Sequence, residues 1–333
     1  MMKPTQINFS VLNDLINNLA GTNGSTLRDY IEPDPTSPII KLRIKPNVTI
    51  EEMPLDYDVD KHINEVMQNL TLVNSSKSLE QSPEDDPQDQ VLVPLDQLET
   101  TKSLTTIRVL AEGDSWFRLP ELPGLFVLPR FFPKAIATQL QRKPGLQVKS
   151  IAHWGDTLRE MFQRKEYLNA IREFQPEYFI LSGGGNDLQE NLRQYVHPYS
   201  ANRPIHDYMT KAGYDLFFKI RETYVALIRE ALAVKPDLKI LVYAYDYPKP
   251  TKDSQYIGQH LHAKGIPENL MPAVIRPVMD RLNDRIKEAA NSSPQVTYVD
   301  CRNLARNVQW FDDMHPYHEG YGYMADAFMR HIG

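Results

Sequence analysis

At 333 residues the chain is long enough for one large α/β domain with additions, or for two domains, and its single cysteine excludes an internal disulfide. With 41% hydrophobic and 24% charged residues it has an ordinary globular composition, and no apolar run approaches the roughly 18 residues of a membrane-spanning helix. A net charge of −6 argues against nucleic acid or an anionic membrane as the main partner.

Met1-Met2-Lys3-Pro4-Thr5-Gln6 contains no apolar signal core, and with the lone Cys301 this predicts a cytoplasmic location. Val11, Leu12, Leu15, Ile16 and Leu19 recur at helical spacing, with Gly21 as a stop. Ile40, Leu42 and Ile44 alternate with Lys41, Arg43 and Lys45, the pattern of a half-buried strand. Ile63, Val66, Met67 and Leu70 mark a second short helix. Residues 1–73 therefore read as an accessory segment. Its first helix carries an apolar stripe that no isolated helix buries, so it is expected to pack on the following domain, on a second copy of the chain, or on a protein partner. Residues 74–104 are a linker: Ser82-Pro83-Glu84-Asp85-Asp86-Pro87 has no packable face.

From residue 105 to 333 the pattern becomes strand, helix, strand. Strands are predicted at Ile107–Ala111, Leu146–Ile151, Glu177–Leu181, Lys239–Tyr243 and Val296–Val299. Helices are predicted at Phe132–Gln141, Thr157–Phe174, Tyr214–Val234, Met271–Ala290 and Glu319–His331. Such alternation implies a mainly parallel five-stranded sheet covered on both faces, with ligands bound just beyond the carboxyl ends of its strands. Two connections, 189–213 and 244–270, exceed the usual two to six residues and leave from that same edge.

Four polar blocks follow the strands at this edge. Gly113-Asp114-Ser115 comes after the first, His153-Trp154-Gly155-Asp156 after the second, Gly183-Gly184-Gly185-Asn186-Asp187 after the third, and Asp312-Asp313-Met314-His315 after the fifth. Taken alone, Asp114-Ser115 reads as an ordinary helix cap. Taken together, the blocks hold the parts that acyl transfer to a hydroxyl requires. Ser115 needs a base to ionise, and His315 is one. A carboxylate three residues earlier reaches the other imidazole nitrogen, which selects Asp312 over Asp313. The oxyanion of a tetrahedral intermediate needs aimed donors: the N–H of Ser115, the N–H of Gly155 and the amide of Asn186.

These blocks, in this order, resemble the SGNH/GDSL hydrolase superfamily, whose members carry Gly-Asp-Ser, a second-block Gly, Gly-x-Asn-Asp and a final Asp-x-x-His. The resemblance covers residues 105–333. It implies a flavodoxin-like three-layer α/β/α fold and hydrolysis of carboxylic esters or thioesters, often of lipid or acetylated sugar. It implies Ser115, Asp312 and His315 as the catalytic residues, Ser115, Gly155 and Asn186 as the oxyanion hole, and neither metal nor cofactor. Two departures bear on substrate class: Trp116 stands where the family has Leu, and His153-Trp154 precedes the second-block glycine.

All three tryptophans, Trp116, Trp154 and Trp310, lie within two residues of a proposed catalytic group. Either they pack the domain or they form an aromatic wall of the substrate pocket. The triple glycine is not a phosphate loop, since no Gly-Lys-Ser/Thr follows. A metallophosphoesterase would need His after Asn186, where Asp187 stands; His260-x-His262 lacks a matching carboxylate cluster. The remaining alternative is a catalytically slow or idle domain of this type that serves as a binding or regulatory module.

Overall fold

The computed structural model describes residues 5–17, 30–33, 42–44, 48–54, 57–65, 106–119 and 133–333. They divide into two units, one made of the residues up to 65 and the other of 106–119 with 133–333.

In the first unit, β1 (Thr5–Asn8) pairs in parallel with β4 (Val48–Glu51), and β2 (Ile31–Pro33) pairs antiparallel with β3 (Leu42–Ile44). Asn8 ends β1 and starts the helix Phe9–Asn17: its carboxamide oxygen accepts from the Ser10 amide at 2.9 Å and hydroxyl at 2.7 Å. Leu12 and Ile16, two of the predicted stripe residues, are buried, and Val11 is exposed. The Phe9 ring meets Tyr57 edge-on, and the Tyr57 hydroxyl donates to Asn13, which fastens the helix to the segment leading into the helical residues 59–65. Leu19, Gly21, Ile40, Val66, Met67, Leu70 and the linker 74–104 lie outside the described residues.

The second unit is built on β5 (Ile107–Glu112), β6 (Leu146–Ser150), β7 (Tyr178–Leu181), β8 (Lys239–Tyr243) and β9 (Val296–Val299), all parallel, in the order β6-β5-β7-β8-β9. This is the doubly wound flavodoxin-like order, in which the chain reverses direction across the sheet at β5 and β7. All four β7 residues are buried, as a central strand covered on both faces must be. The helices Ile136–Gln141 and His318–Met329 pack on each other, while Glu166–Phe174 and Met271–Ala290 each pack on Lys211–Val234. Right-handed crossovers place these two groups on opposite faces, giving three α/β/α layers.

Three helices differ from expectation; the one predicted at Phe132–Gln141 begins only at Ile136. The predicted helix Thr157–Phe174 is two, Leu158–Arg164 and Glu166–Phe174, separated by Lys165 in the left-handed region at φ 55°. The break lets Leu158 and Met161 bury on one line and Tyr167, Ala170 and Ile171 on another. No glycine or proline marks it. The helix expected at Tyr214 starts at Lys211, because the Thr210 hydroxyl caps it by accepting from the Gly213 amide at 3.2 Å.

Candidate active site

Ser115 sits in the turn that follows β5, and that turn is braced by its neighbour. The Asp114 carboxylate accepts from the Trp116 amide at 3.1 Å, from the Ser182 hydroxyl at 2.9 Å and, over a short contact, from the Tyr245 hydroxyl. Burial raises the Asp114 pKa against these stabilising donors. Gly113 is needed for close approach and not for its own dihedral freedom: a Cβ there would stand 2.5 Å from the Ser182 oxygen.

The Ser115 hydroxyl lies 2.7 Å from His315 Nε2, and His315 Nδ1 lies 2.8 Å from Asp312 Oδ2 and 3.0 Å from Oδ1. With the imidazole proton on Nδ1, shared with Asp312, Nε2 is left to accept from the serine. Asp312 is itself held by the amides of Met314 at 2.8 Å and His315 at 2.7 Å, a turn closed by its own side chain. Burial alone would lower the His315 pKa, but the Asp312 charge and hydrogen bond, with Asp114 and Asp313 beyond, outweigh it and raise it above the ordinary 6.5.

Asp313 points elsewhere. It accepts from the amides of Tyr256, Ile257 and Gly258 and from the Ser254 hydroxyl, at 2.7 to 3.1 Å, so it ties down the loop before the helix Gly258–His262. The Tyr256 ring on that loop stands edge-on to His315 at 5.6 Å.

Gly155 is exposed, with φ +82° and nothing within 4 Å of the place a Cβ would occupy. The glycine supplies a left-handed turn and an unobstructed approach to its backbone. Asn186 lies in the first turn of the helix Gly185–Gln189 after β7, and its amide donates to the Asp156 carbonyl at 2.9 Å. The next residue repeats the link in the other direction: the Asp187 carboxylate accepts from the Leu158 amide at 2.7 Å, with its pKa pushed up to about 6 by burial. The second and third blocks are thus doubly cross-braced.

Trp116 is a core residue, 1% exposed, with Tyr243, Tyr245, Tyr321, Trp310 and His315 around it at ring separations of 5.6 to 6.2 Å. That is the packing role. Trp310 is half-buried and its indole N–H donates to the Ala305 carbonyl at 3.0 Å; Trp154 is likewise half-buried.

Sequence reasoning passed over Ser182 and Tyr245, which are far from Asp114 along the chain, and over Arg164, whose guanidinium pairs with the Asp156 carboxylate. It also passed over Glu112, the last residue of β5. Glu112 is 1% exposed, with one oxygen accepting from the Gly113 amide at 3.1 Å and the other without a partner among the described residues. Burial first, then the charge of Asp156, pushes its pKa up to about 8. A charge at the end of an apolar run is the signal that marked it.

The family model of the GDSL-like Lipase/Acylhydrolase family matches residues 113–323 of this chain. No curated protein matches it. Among solved structures, the lipase Lip_vut3 from a goat rumen metagenome is similar at 16% identity, over 68% of this chain and 98% of that one, with a TM-score of 0.47. A catalytic mutant of Axe2, an acetylxylan esterase from Geobacillus stearothermophilus, is similar at 19% identity, over 69% of this chain and 95% of that one, with a TM-score of 0.42.

Proposed function

The chain belongs to the GDSL-like lipase/acylhydrolase family and is a carboxylic ester hydrolase, and from that premise we propose that it works by nucleophilic catalysis at Ser115. The observation that carries the reading is the unbroken relay Ser115–His315–Asp312, with contacts of 2.7 and 2.8 Å. His315 Nε2 takes the Ser115 proton as Oγ attacks the ester carbonyl, and Asp312 steadies the imidazolium that forms. The oxyanion is held by the amides of Ser115 and Gly155 and the side chain of Asn186. Collapse expels the alcohol or thiol, which takes the proton from His315 and leaves an acyl-enzyme. Water, deprotonated by the same imidazole, then releases the acid.

The substrate is a small-molecule, lipid or sugar ester. No helix among the described residues is long and apolar enough to cross a membrane, and with the single buried Cys301 this supports a cytoplasmic site of action. Residues 1–73 serve a partner or a second copy of the chain. The test of the catalytic reading is covalent labelling by a fluorophosphonate probe, alongside turnover of p-nitrophenyl esters of increasing chain length. Labelling and turnover are expected in the parent and absent in Ser115→Ala. Labelling that survives this substitution would assign the nucleophile elsewhere.

A further inference from the structure

A polar cavity of about 360 Å³ opens beside Trp310, within the same unit as the catalytic strand edge. Its walls come from three separated stretches: Tyr247 and Lys249 after β8, Arg276 on the helix Met271–Ala290, and Arg306 and Trp310 after β9. Three cations therefore converge on one aromatic-lined hollow in a chain whose net charge is −6.

Two of the three are held in advance. The Lys249 ammonium donates to the carbonyls of Arg306 at 3.1 Å and Val308 at 3.2 Å and stands 5.3 Å from the Trp310 ring centre, which leaves one of its three protons unassigned. The Arg276 guanidinium lies 3.7 Å over the Tyr247 ring and gives one hydrogen bond, 2.9 Å long, to Asn303. Arg306 has no side-chain partner among the described residues. The one acid in the wall, Asp246, is already saturated by the amides of Tyr247, Asn303 and Ala305 at 2.6 to 2.8 Å. Other cations of this unit, such as Arg164, Lys165 and Arg302, sit on carboxylates; none of these three does so within 4.0 Å among the described residues.

Two cations stacked on rings and a third without a side-chain partner, none of them on a carboxylate, suit a compact dianion better than a single carboxylate, because guanidinium and ammonium donors can each take a separate oxygen. The cavity is also joined to the catalytic relay. Trp310 forms its wall and stands 6.2 Å, ring to ring, from Trp116, and the next amide, Phe311, donates to the His315 carbonyl at 2.8 Å. We propose that this cavity is a subsite for a phosphoryl group carried by the ester substrate, with Arg306 and Arg276 as its principal ligands; the assignment to a substrate rests on the hydrolase reading above.

Binding and turnover test it separately on the full chain. Inorganic phosphate is titrated against the parent, Arg306→Gln and Arg306→Lys with tryptophan fluorescence as the readout, since Trp310 lines the cavity. Saturable binding is expected, weakened roughly tenfold or more in Arg306→Gln and kept in Arg306→Lys. In parallel, kcat/KM is compared for 1-acetylglycerol 3-phosphate and 1-acetylglycerol. The parent is expected to prefer the phosphorylated ester, and Arg306→Gln and Arg276→Gln to reduce that preference roughly tenfold or more. Phosphate binding with no preference between the two esters overturns the substrate assignment and makes the ligand a free anion. Lack of phosphate binding overturns the site itself. Binding that tracks Arg306 in a chain that cleaves neither ester supports the anion site and counts against the hydrolase reading alone.

Discussion

The side-chain amide of Asn186 donates to the main-chain carbonyl of Asp156, 2.9 Å away, so the two parts of the proposed oxyanion hole outside the nucleophile turn hold each other. A carboxamide nitrogen carries two protons. Anchoring one to Asp156 fixes the plane of the amide and leaves the other with a set direction before any substrate binds. Such preorganisation makes a donor more valuable to a transition state than to a ground state.

Asn186→Ala is accordingly expected to lower kcat by roughly 10²–10³-fold with a much smaller change in KM. The check is steady-state kinetics on a p-nitrophenyl ester. An effect confined to KM would make Asn186 a ground-state binding residue.

The adjacent aspartates separate activity from stability. Asp312→Asn removes the charge on His315 Nδ1 and is expected to cut kcat by roughly 10³–10⁴-fold with little effect on melting. Asp313→Asn turns an acceptor of four donors into a group that meets some of them with its own N–H, at a cost of roughly 2 kcal/mol or more. Its melting temperature is expected to fall by roughly 5 °C or more while the catalytic relay survives. Kinetics and thermal melting on both variants decide it; a larger kcat loss in Asp313→Asn would reverse the assignment.

The raised pKa of His315 sets the acid limb of the pH profile. A base whose pKa lies above 6.5 is protonated, and therefore idle, up to a higher pH, so kcat/KM is expected to fall as pH drops through a value above 6.5. Asp312→Asn removes the largest group holding that pKa up, and its residual activity is expected to show the limb displaced to lower pH. An unmoved limb would assign it to another group.

Much of this was legible from residue types at strand ends. β8 and β9 fall where apolar, β-branched runs predicted them, and the four blocks follow strands as expected. What was hidden depends on contacts distant in sequence. Asp114 meets Tyr245 across 131 residues and Ser182 across 68, so nothing local shows that the middle residue of the first block braces the turn. The break at Lys165 has no glycine or proline to announce it, and the pairing of β1 with β4 rests on strands too short to show a period. The basic cavity was invisible for the same reason: Lys249, Arg276 and Arg306 lie in three separate stretches that only the fold gathers.

Glu112 predicts a pH-dependent stability. Its folded pKa, about 8, lies above the ordinary carboxyl value of 4.5, so the folded state holds its proton more tightly than the unfolded chain. The stabilisation is complete below pH 4.5 and is lost as pH rises towards 8. Glu112→Gln keeps an acceptor for the Gly113 amide without the titrating proton. Denaturant melts of parent and variant from pH 5 to 9 are expected to diverge with rising pH, the variant becoming relatively more stable by up to roughly 1.4 kcal/mol per pH unit. Parallel curves would mean that Glu112 titrates normally.

The last prediction concerns the accessory segment. The described residues of the second unit bury a contiguous hydrophobic cluster of their own, from Val109 to Ile332. The first unit has buried side chains of its own in Leu12, Ile16, Val59 and Ile63, and hydrogen bonds of its own between Tyr57 and Asn13 and between Asn8 and Glu52. We propose that each unit folds separately, since the described residues of each supply buried side chains and local polar closure of their own. A chain that begins at Thr100 is therefore expected to melt cooperatively within a few degrees of the full-length protein and to turn over p-nitrophenyl acetate at a similar rate, while losing any self-association or partner binding that residues 1–73 provide. Thermal melting, acetate-ester kinetics and light scattering on the two chains make the comparison. Aggregation or loss of turnover in the shorter chain would show that the accessory segment completes the catalytic unit instead of serving a partner.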